Sequence, residues 1–122
     1  MQPGSGPQDY TRQLAAKSAE LRQRAEALQA ELARIVASVT SPDRTVTVTV
    51  GAGGVMRGIA IEQAGLRATP TQWSSAVMRA YAEACRRVGE QAAELVERHT
   101  PGSPAVAMMR AAVPPEDEEQ RS

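Results

Sequence analysis

Arg44-Thr45-Val46-Thr47-Val48-Thr49-Val50, then Gly51-Ala52-Gly53-Gly54, then Val55-Met56-Arg57-Gly58-Ile59-Ala60-Ile61 is the stretch that sets the fold class. Its first part alternates strictly, with Val46, Val48 and Val50 on one face and threonines on the other. Both residue types are β-branched and favour a pleated, half-buried strand. Four residues rich in glycine make the turn, and Val55, Ile59 and Ile61 share a face on the way back. The expectation is a β-hairpin. Two strands alone are marginal in water, so the hairpin needs a helix against it or another chain's strands at its edge.

Upstream, the period changes from 2 to 3.5. From Asp9 to about Val39 there is neither Gly nor Pro. Leu14, Leu21, Leu28 and Ile35 recur every seven residues, each followed four residues later by Ser18, Ala25, Leu32 and Val39. This is a narrow apolar seam on a long helix, the pattern of a helix that packs against another helix. Thr40-Ser41-Pro42-Asp43 is expected to break it. Val39-Thr40 is also readable as a short third strand, so the sheet is expected to have two or three strands.

Downstream, Thr69-Pro70-Thr71-Gln72 carries a helix start: Thr at the N-cap, Pro at the first helical position and Gln three residues after the cap. Trp73, Val77, Ala80, Ala84, Val88, Gln91 or Ala92, and Leu95 then form an apolar stripe. Arg79, Glu83, Arg86, Arg87, Glu90, Glu94 and Glu97 lie outside it, and His99-Thr100-Pro101-Gly102 ends the helix. Gly89 interrupts the stripe at a cost of about 1 kcal/mol relative to Ala, which a close helix crossing at that point would justify. The flanks are of another kind. Residues 1–8 read as a flexible leader and 101–122 as a disordered acidic tail, although Ala105–Val113 is apolar enough to dock as a helical turn. The domain proper is expected over residues 9–100, and its class is α+β.

Composition narrows the function. Among 122 residues there is no Phe, one Trp and two Tyr. Aromatic rings normally supply much of a core's buried area, and a domain of roughly ninety residues has little margin. A second copy of the chain is the simplest source of further apolar contact, so self-association is expected. Net charge is zero, but residues 9–99 carry twelve Lys and Arg against ten Asp and Glu, while the tail holds Glu116, Asp117, Glu118 and Glu119. All but one of the cations are Arg, the better partner for planar phosphate and carboxylate groups. The N-terminal residues show no secretory pattern and no apolar run is long enough to span a bilayer, so a cytoplasmic protein without a membrane partner is expected.

No catalytic constellation emerges. Cys85 and His99 are each the sole residue of their type, which removes disulfide frameworks and Cys/His metal cages. Glu90, Glu94 and Glu97 lack the Glu-x-x-His spacing of helical metal sites and read as a solvated face. The glycine turn joins two strands and has no following Lys-Ser/Thr, so it is not a phosphate loop. No cofactor, metal or small-molecule substrate is expected. What remains are guanidinium-bearing helix surfaces: Arg22, Arg24 and Arg34 on the first helix, Arg79, Arg86 and Arg87 on the second. They suit phosphate contacts whose affinity would fall steeply with salt.

The order of long helix, glycine-turned hairpin and capped second helix resembles the YbaB/EbfC family of bacterial nucleoid-associated proteins. Thr45-Val46-Thr47-Val48-Thr49-Val50-Gly51 is similar to that family's V-x-V-x-x-x-G strand. Val55 to Ile61 is similar to its following strand, and Trp73 to Arg87 to its alanine-rich second helix with the A-x-x-x-A-x-R pattern. The chain departs from the family at Thr40-Ser41-Pro42-Asp43, where a glycine-rich segment is usual, and in its acidic end. The resemblance implies an α-β-β-β-α fold and a tweezer-shaped homodimer joined through its strands. It also implies binding of double-stranded DNA by helical surfaces, largely without sequence preference, and no enzymatic activity. In that frame Val46, Val48, Val50, Ile59 and Ile61 build the strand core, and Leu14, Leu21, Leu28 and Ile35 pack against a helix. Members associated with actinobacterial type VII secretion share the fold, and they imply the alternative of a protein–protein adaptor that does not bind DNA.

Overall fold

The computed structural model describes residues 7–113. Helix α1 spans Pro7–Ala33, followed by strands β1 (Val36–Thr40), β2 (Val46–Gly51) and β3 (Met56–Ile61), then helices α2 (Pro70–His99) and α3 (Pro104–Ala112). The strands form one antiparallel sheet in the order β1-β2-β3. The α+β expectation holds, with the third strand present.

The first helix is shorter than its seam suggests. It ends at Ala33, where Arg34 N–H and Ile35 N–H close tighter turns onto the carbonyls of Glu31 and Leu32. Val36–Thr40 is strand rather than helix, so Ile35 lies in the connection and Val39 in the sheet. Pairing explains the change. Ala37 lies opposite Val50 and Val39 opposite Val48, and both Ala37 and Val39 are buried while Val36, Ser38 and Thr40 face out. Thr40-Ser41-Pro42-Asp43 therefore ends a strand, not a helix. Ser41 is buried and organises the turn: its hydroxyl donates to Asp43 and accepts from the backbone N–H of Thr45 and Val46. The Ser41 hydrogen bond holds the Asp43 carboxyl below its ordinary value, against the opposing effect of burial. Arg44 completes the turn in the left-handed region at φ 59°.

Between β2 and β3 the chain turns through Ala52–Gly54, where Gly53 and Gly54 have φ of 73° and 79°. That backbone conformation is open to glycine at no steric cost. Tyr81 of α2 donates its hydroxyl to the Gly54 carbonyl at 2.7 Å and pins the turn to the helix. The register then slips by one residue between Thr49 and Val50, leaving Arg57 as the extra residue of a bulge.

Helix α2 begins as its sequence foretells. Thr69 Oγ1 accepts from Gln72 N–H at 3.2 Å and Gln72 Oε1 accepts from Thr69 N–H at 2.8 Å. The helix lays Ala76, Ala80, Ala84 and Val88 across Ala37, Val39, Val46, Val48 and Val50, and these nine residues are the core. Small side chains on the helix let it sit close to a sheet of valines. Trp73 and Tyr81 pack at the margins, and Trp73 Nε1 donates to the Gly65 carbonyl, holding the loop that follows β3. Pro104–Ala112, within the stretch expected to be a disordered tail, forms α3 and packs on α2. It covers Gly89, where an added Cβ would lie 2.9 Å from Val113 Cγ2. The helix crossing anticipated at that glycine is this one. The leader up to Gly6 and the acidic residues from Pro114 lie outside the described residues.

Candidate functional site

Two surfaces stand out, one apolar and one basic. The apolar one is the outer strand. Val46 pairs with Ile61 and Val48 with Ile59 across the ladder, so Ile59 and Ile61 lie on the face that α2 covers elsewhere. Yet every residue of β3 is exposed, because α2 packs chiefly over β1 and β2. Val46, Val48 and Val50 are fully buried, as a strand core should be, whereas Ile59 is 45% and Ile61 57% exposed. Val55, Met56 and Leu66 are exposed as well, Met56 as the ladder partner of Val50. Among the described residues the sheet also ends here, with an unpaired ladder edge.

The opposite face of the sheet is polar. Ser38 and Thr49 share a hydrogen bond of 2.7 Å, Thr40 and Thr47 one of 2.8 Å, and Thr47 passes its own proton toward Glu62 at 2.6 Å. These cross-strand pairs stabilise the ladder and use much of its donor capacity internally.

The basic surface lies on the helices. On α1, Arg24 is tied to Glu20 at 2.6 Å, and Arg22 is exposed. On α2, Arg86 and Arg87 converge on one carboxylate, Glu83, at 2.7 and 3.2 Å. That hydrogen bond from Arg86, reinforced by Arg87, lowers the Glu83 pKa despite the partial burial that opposes it. Two guanidinium groups around one carboxylate leave a single net positive charge at the surface. Arg79 lies nearby on the same outer side of the helix and is half-buried. Arg34 sits apart from all of these, in a cleft of about 400 Å³ where the C-terminal end of α1 meets the C-terminal end of α2. Ile35, Val36 and Leu95 form its apolar floor, and Arg34, Arg98, Glu31 and Glu94 its charged rim. His99 Nε2 lies 3.1 Å from Glu31, a contact that joins the two helix ends.

The six arginines thus fall into three places: Arg22 and Arg24 along α1, Arg79, Arg86 and Arg87 along α2, and Arg34 in the cleft. Arg98, which joins Arg34, was not among the residues picked out from sequence. That residues so far apart in sequence line one cleft leaves no local trace in the chain. The seam residues divide as well. Leu28 and Ile35, near the root of α1, are half-buried; Leu14 and Leu21 are 51% and 54% exposed. Among the described residues no cluster of His, Cys, Asp and Glu could hold a metal ion, and no helix is long and apolar enough to cross a membrane. Cys85 is half-buried beside Tyr81.

No curated protein sequence matches the chain significantly. A profile of the YbaB/EbfC DNA-binding family matches residues 8–103, from the start of α1 to the end of α2 and the turn beyond it. That span covers most of the chain and all three strands, and the order of elements is the one the family resemblance implied. The chain is a member of the YbaB/EbfC DNA-binding family of nucleoid-associated proteins.

Proposed function

We propose that the protein acts as a non-enzymatic homodimer that binds double-stranded DNA largely without sequence preference, in the cytoplasm and at the nucleoid. The observation that carries the dimer is the bare core face of β3. Exposed isoleucines opposite buried valines, on a strand with a free edge, make half of an interface. Edge-to-edge pairing of β3 with β3 of a second copy would extend the ladder and cover Ile59 and Ile61 together. Unpaired apolar edges are otherwise a liability that proteins blunt.

For DNA, Arg22, Arg24, Arg34, Arg79, Arg86 and Arg87 are the proposed phosphate contacts, doubled in number and held at fixed spacing by the dimer. Membership of a DNA-binding family supports this part. Electrophoretic retardation of a duplex at about 50 mM and about 200 mM salt tests it. Retardation that is strong in the first and weakened by orders of magnitude in the second is expected of phosphate-driven binding. Absence of retardation at the lower salt refutes the DNA role.

A second reading has its own observation. Arg24, Arg86 and Arg87 are each engaged by a carboxylate of this chain, which weakens the case for phosphate contacts and suits a protein–protein adaptor. It predicts no retardation and a protein that co-purifies.

A further inference from the structure

Among the described residues, nothing buries the N-terminal two-thirds of α1. The helix has 27 residues and none is buried. Tyr10, Leu14 and Leu21 are 66%, 51% and 54% exposed. On a helix of 3.6 residues per turn these three positions fall within about 40° of one another, in line with Leu28 below them. A helix in a folded protein gains most of its stability from packing an amphipathic face, so a stripe of this kind is unfinished as it stands.

The charges beside the stripe say what finishes it. Lys17 lies between Leu14 and Leu21, with Arg22 and Arg24 to either side. The nearest acidic residue, Glu20, is already engaged with Arg24 at 2.6 Å. A second copy of α1 is a poor occupant. In-register parallel pairing sets Lys17 of one copy against Arg22 of the other. The antiparallel register that overlaps the whole seam sets Arg22 against Arg22 and Arg24 against Arg24, and the Glu31 that it sets against Lys17 is already held by His99 at 3.1 Å. Like charges at such flanking positions select against a pairing. The β3-joined dimer, on whose proposal this one step rests, also places the two β1 strands at opposite margins of a six-stranded sheet. With five gaps of about 4.8 Å, the roots of the two helices stand about 24 Å apart.

We infer that the Tyr10–Leu14–Leu21 seam of α1 is a docking site for an amphipathic helix of another protein, one whose apolar stripe is flanked by Asp and Glu. Leucines supply the contact area, while Lys17 and Arg22 select the sign of the flanks and the orientation of the partner, Arg24 being balanced by Glu20. Exposed leucines add nothing to a phosphate contact, so this seam is separate from the DNA reading even where Arg22 and Arg24 border both. Each dimer would carry two such arms.

The test uses the full chain and two synthetic peptides of about four heptads, both with Leu at the core positions, one with Glu and the other with Lys at the flanks. Fluorescence anisotropy of labelled peptide is read alongside the protein's mass in solution. The Glu-flanked peptide is expected to bind at least about tenfold more tightly than the Lys-flanked one, since like charges face each other in the latter. The Leu14→Ser/Leu21→Ser variant should lose that binding while keeping wild-type far-UV dichroism, and Lys17→Glu/Arg22→Glu/Arg24→Glu should reverse the preference. Equal binding of both peptides, or of neither, overturns the inference. So does a protein tetramer that falls to dimer in Leu14→Ser/Leu21→Ser, which would make a second copy the occupant, or Leu14- and Leu21-dependent uptake onto phosphatidylglycerol vesicles without peptide binding. A monomeric mass with intact peptide preference would remove the dimer reading and leave the seam standing. Duplex retardation by Leu14→Ser/Leu21→Ser is expected to match wild type, which separates failure here from failure of the DNA role.

Discussion

Val48 and Ile59 are direct cross-strand partners on the same face of the sheet, yet Val48 is fully buried and Ile59 is 45% exposed. The difference arises because α2 is wide enough for two strands, not three. Its alanines bring it close to the sheet over β1 and β2 and leave nothing to reach over β3. The hydrophobic core of one chain therefore stops in mid-sheet, and the apolar area that it lacks is the area that a second β3 would supply.

Glu83 sets how much charge α2 shows. Replacing it with Gln removes the carboxylate that Arg86 and Arg87 share. If α2 contacts phosphates, duplex affinity should rise and the slope of log K against log salt should steepen by about one unit. Salt-dependent retardation of Glu83→Gln beside wild type measures this; an unchanged slope removes Arg86 and Arg87 from the interface.

Acid should weaken the fold through two carboxyls. Asp43 and Glu83 both titrate below their ordinary values of 3.8 and 4.5 in the folded chain. A depressed folded pKa gives stability that is fully present above the ordinary value and lost as pH falls through the folded one. Urea midpoints should hold from about pH 7 to about pH 5 and decline below the ordinary values. In Asp43→Asn/Glu83→Gln the decline below that point should be shallower. An identical acid limb in the variant would show that neither group contributes.

Gly65 and Gly58 make a paired test of packing beside β3. A Cβ at Gly65 would run into the backbone carbonyl of Thr45, which cannot swing away, and would crowd Ile61. At Gly58 a Cβ meets nothing within 4 Å. Gly65→Ala should lose about 1–3 kcal/mol, as overpacked sites do, and Gly58→Ala should stay within about 0.5 kcal/mol of wild type. Denaturant unfolding of the two variants reads both.

Gly89→Ala should loosen α3 without unfolding the domain. The new methyl meets Val113, the last described residue of the chain, and α3 is otherwise held by buried Val106 and the Arg110–Glu90 pair at 3.2 Å. Replacing a mid-helix glycine returns about 1 kcal/mol to α2, so global stability should hold while amide exchange at residues 104–112 accelerates. Unchanged exchange there would mean that α3 accommodates the methyl.

What was legible in the chain follows the range of the interaction that carries it. The capping box at Thr69 and Gln72 and the strand at Val46–Val50 depend on neighbours a few residues away, and both read directly from sequence. In sequence, strand β1 is masked by the helix pattern because Ile35 and Val39 continue the heptad of Leu14, Leu21 and Leu28. Four of the six residues 35–40 are β-branched (Ile35, Val36, Val39 and Thr40), and that was the contrary signal. The pairing of Ala37 with Val50 and Val39 with Val48 gave it the last word. The cleft that joins Arg34 to Arg98, and the sharing of Glu83 by Arg86 and Arg87, depend on how helices cross and rotamers meet. Neither follows from spacing alone.

The bare core face of β3 is most directly tested by the mass of the protein in solution. Light scattering at micromolar concentration should give about 26 kDa, twice the 13.0 kDa of one chain, and Ile59→Asp/Ile61→Asp should bring it down toward 13 kDa. A stable, folded 13.0 kDa species in the wild-type protein would contradict the account, because Ile59 and Ile61 would then have no partner.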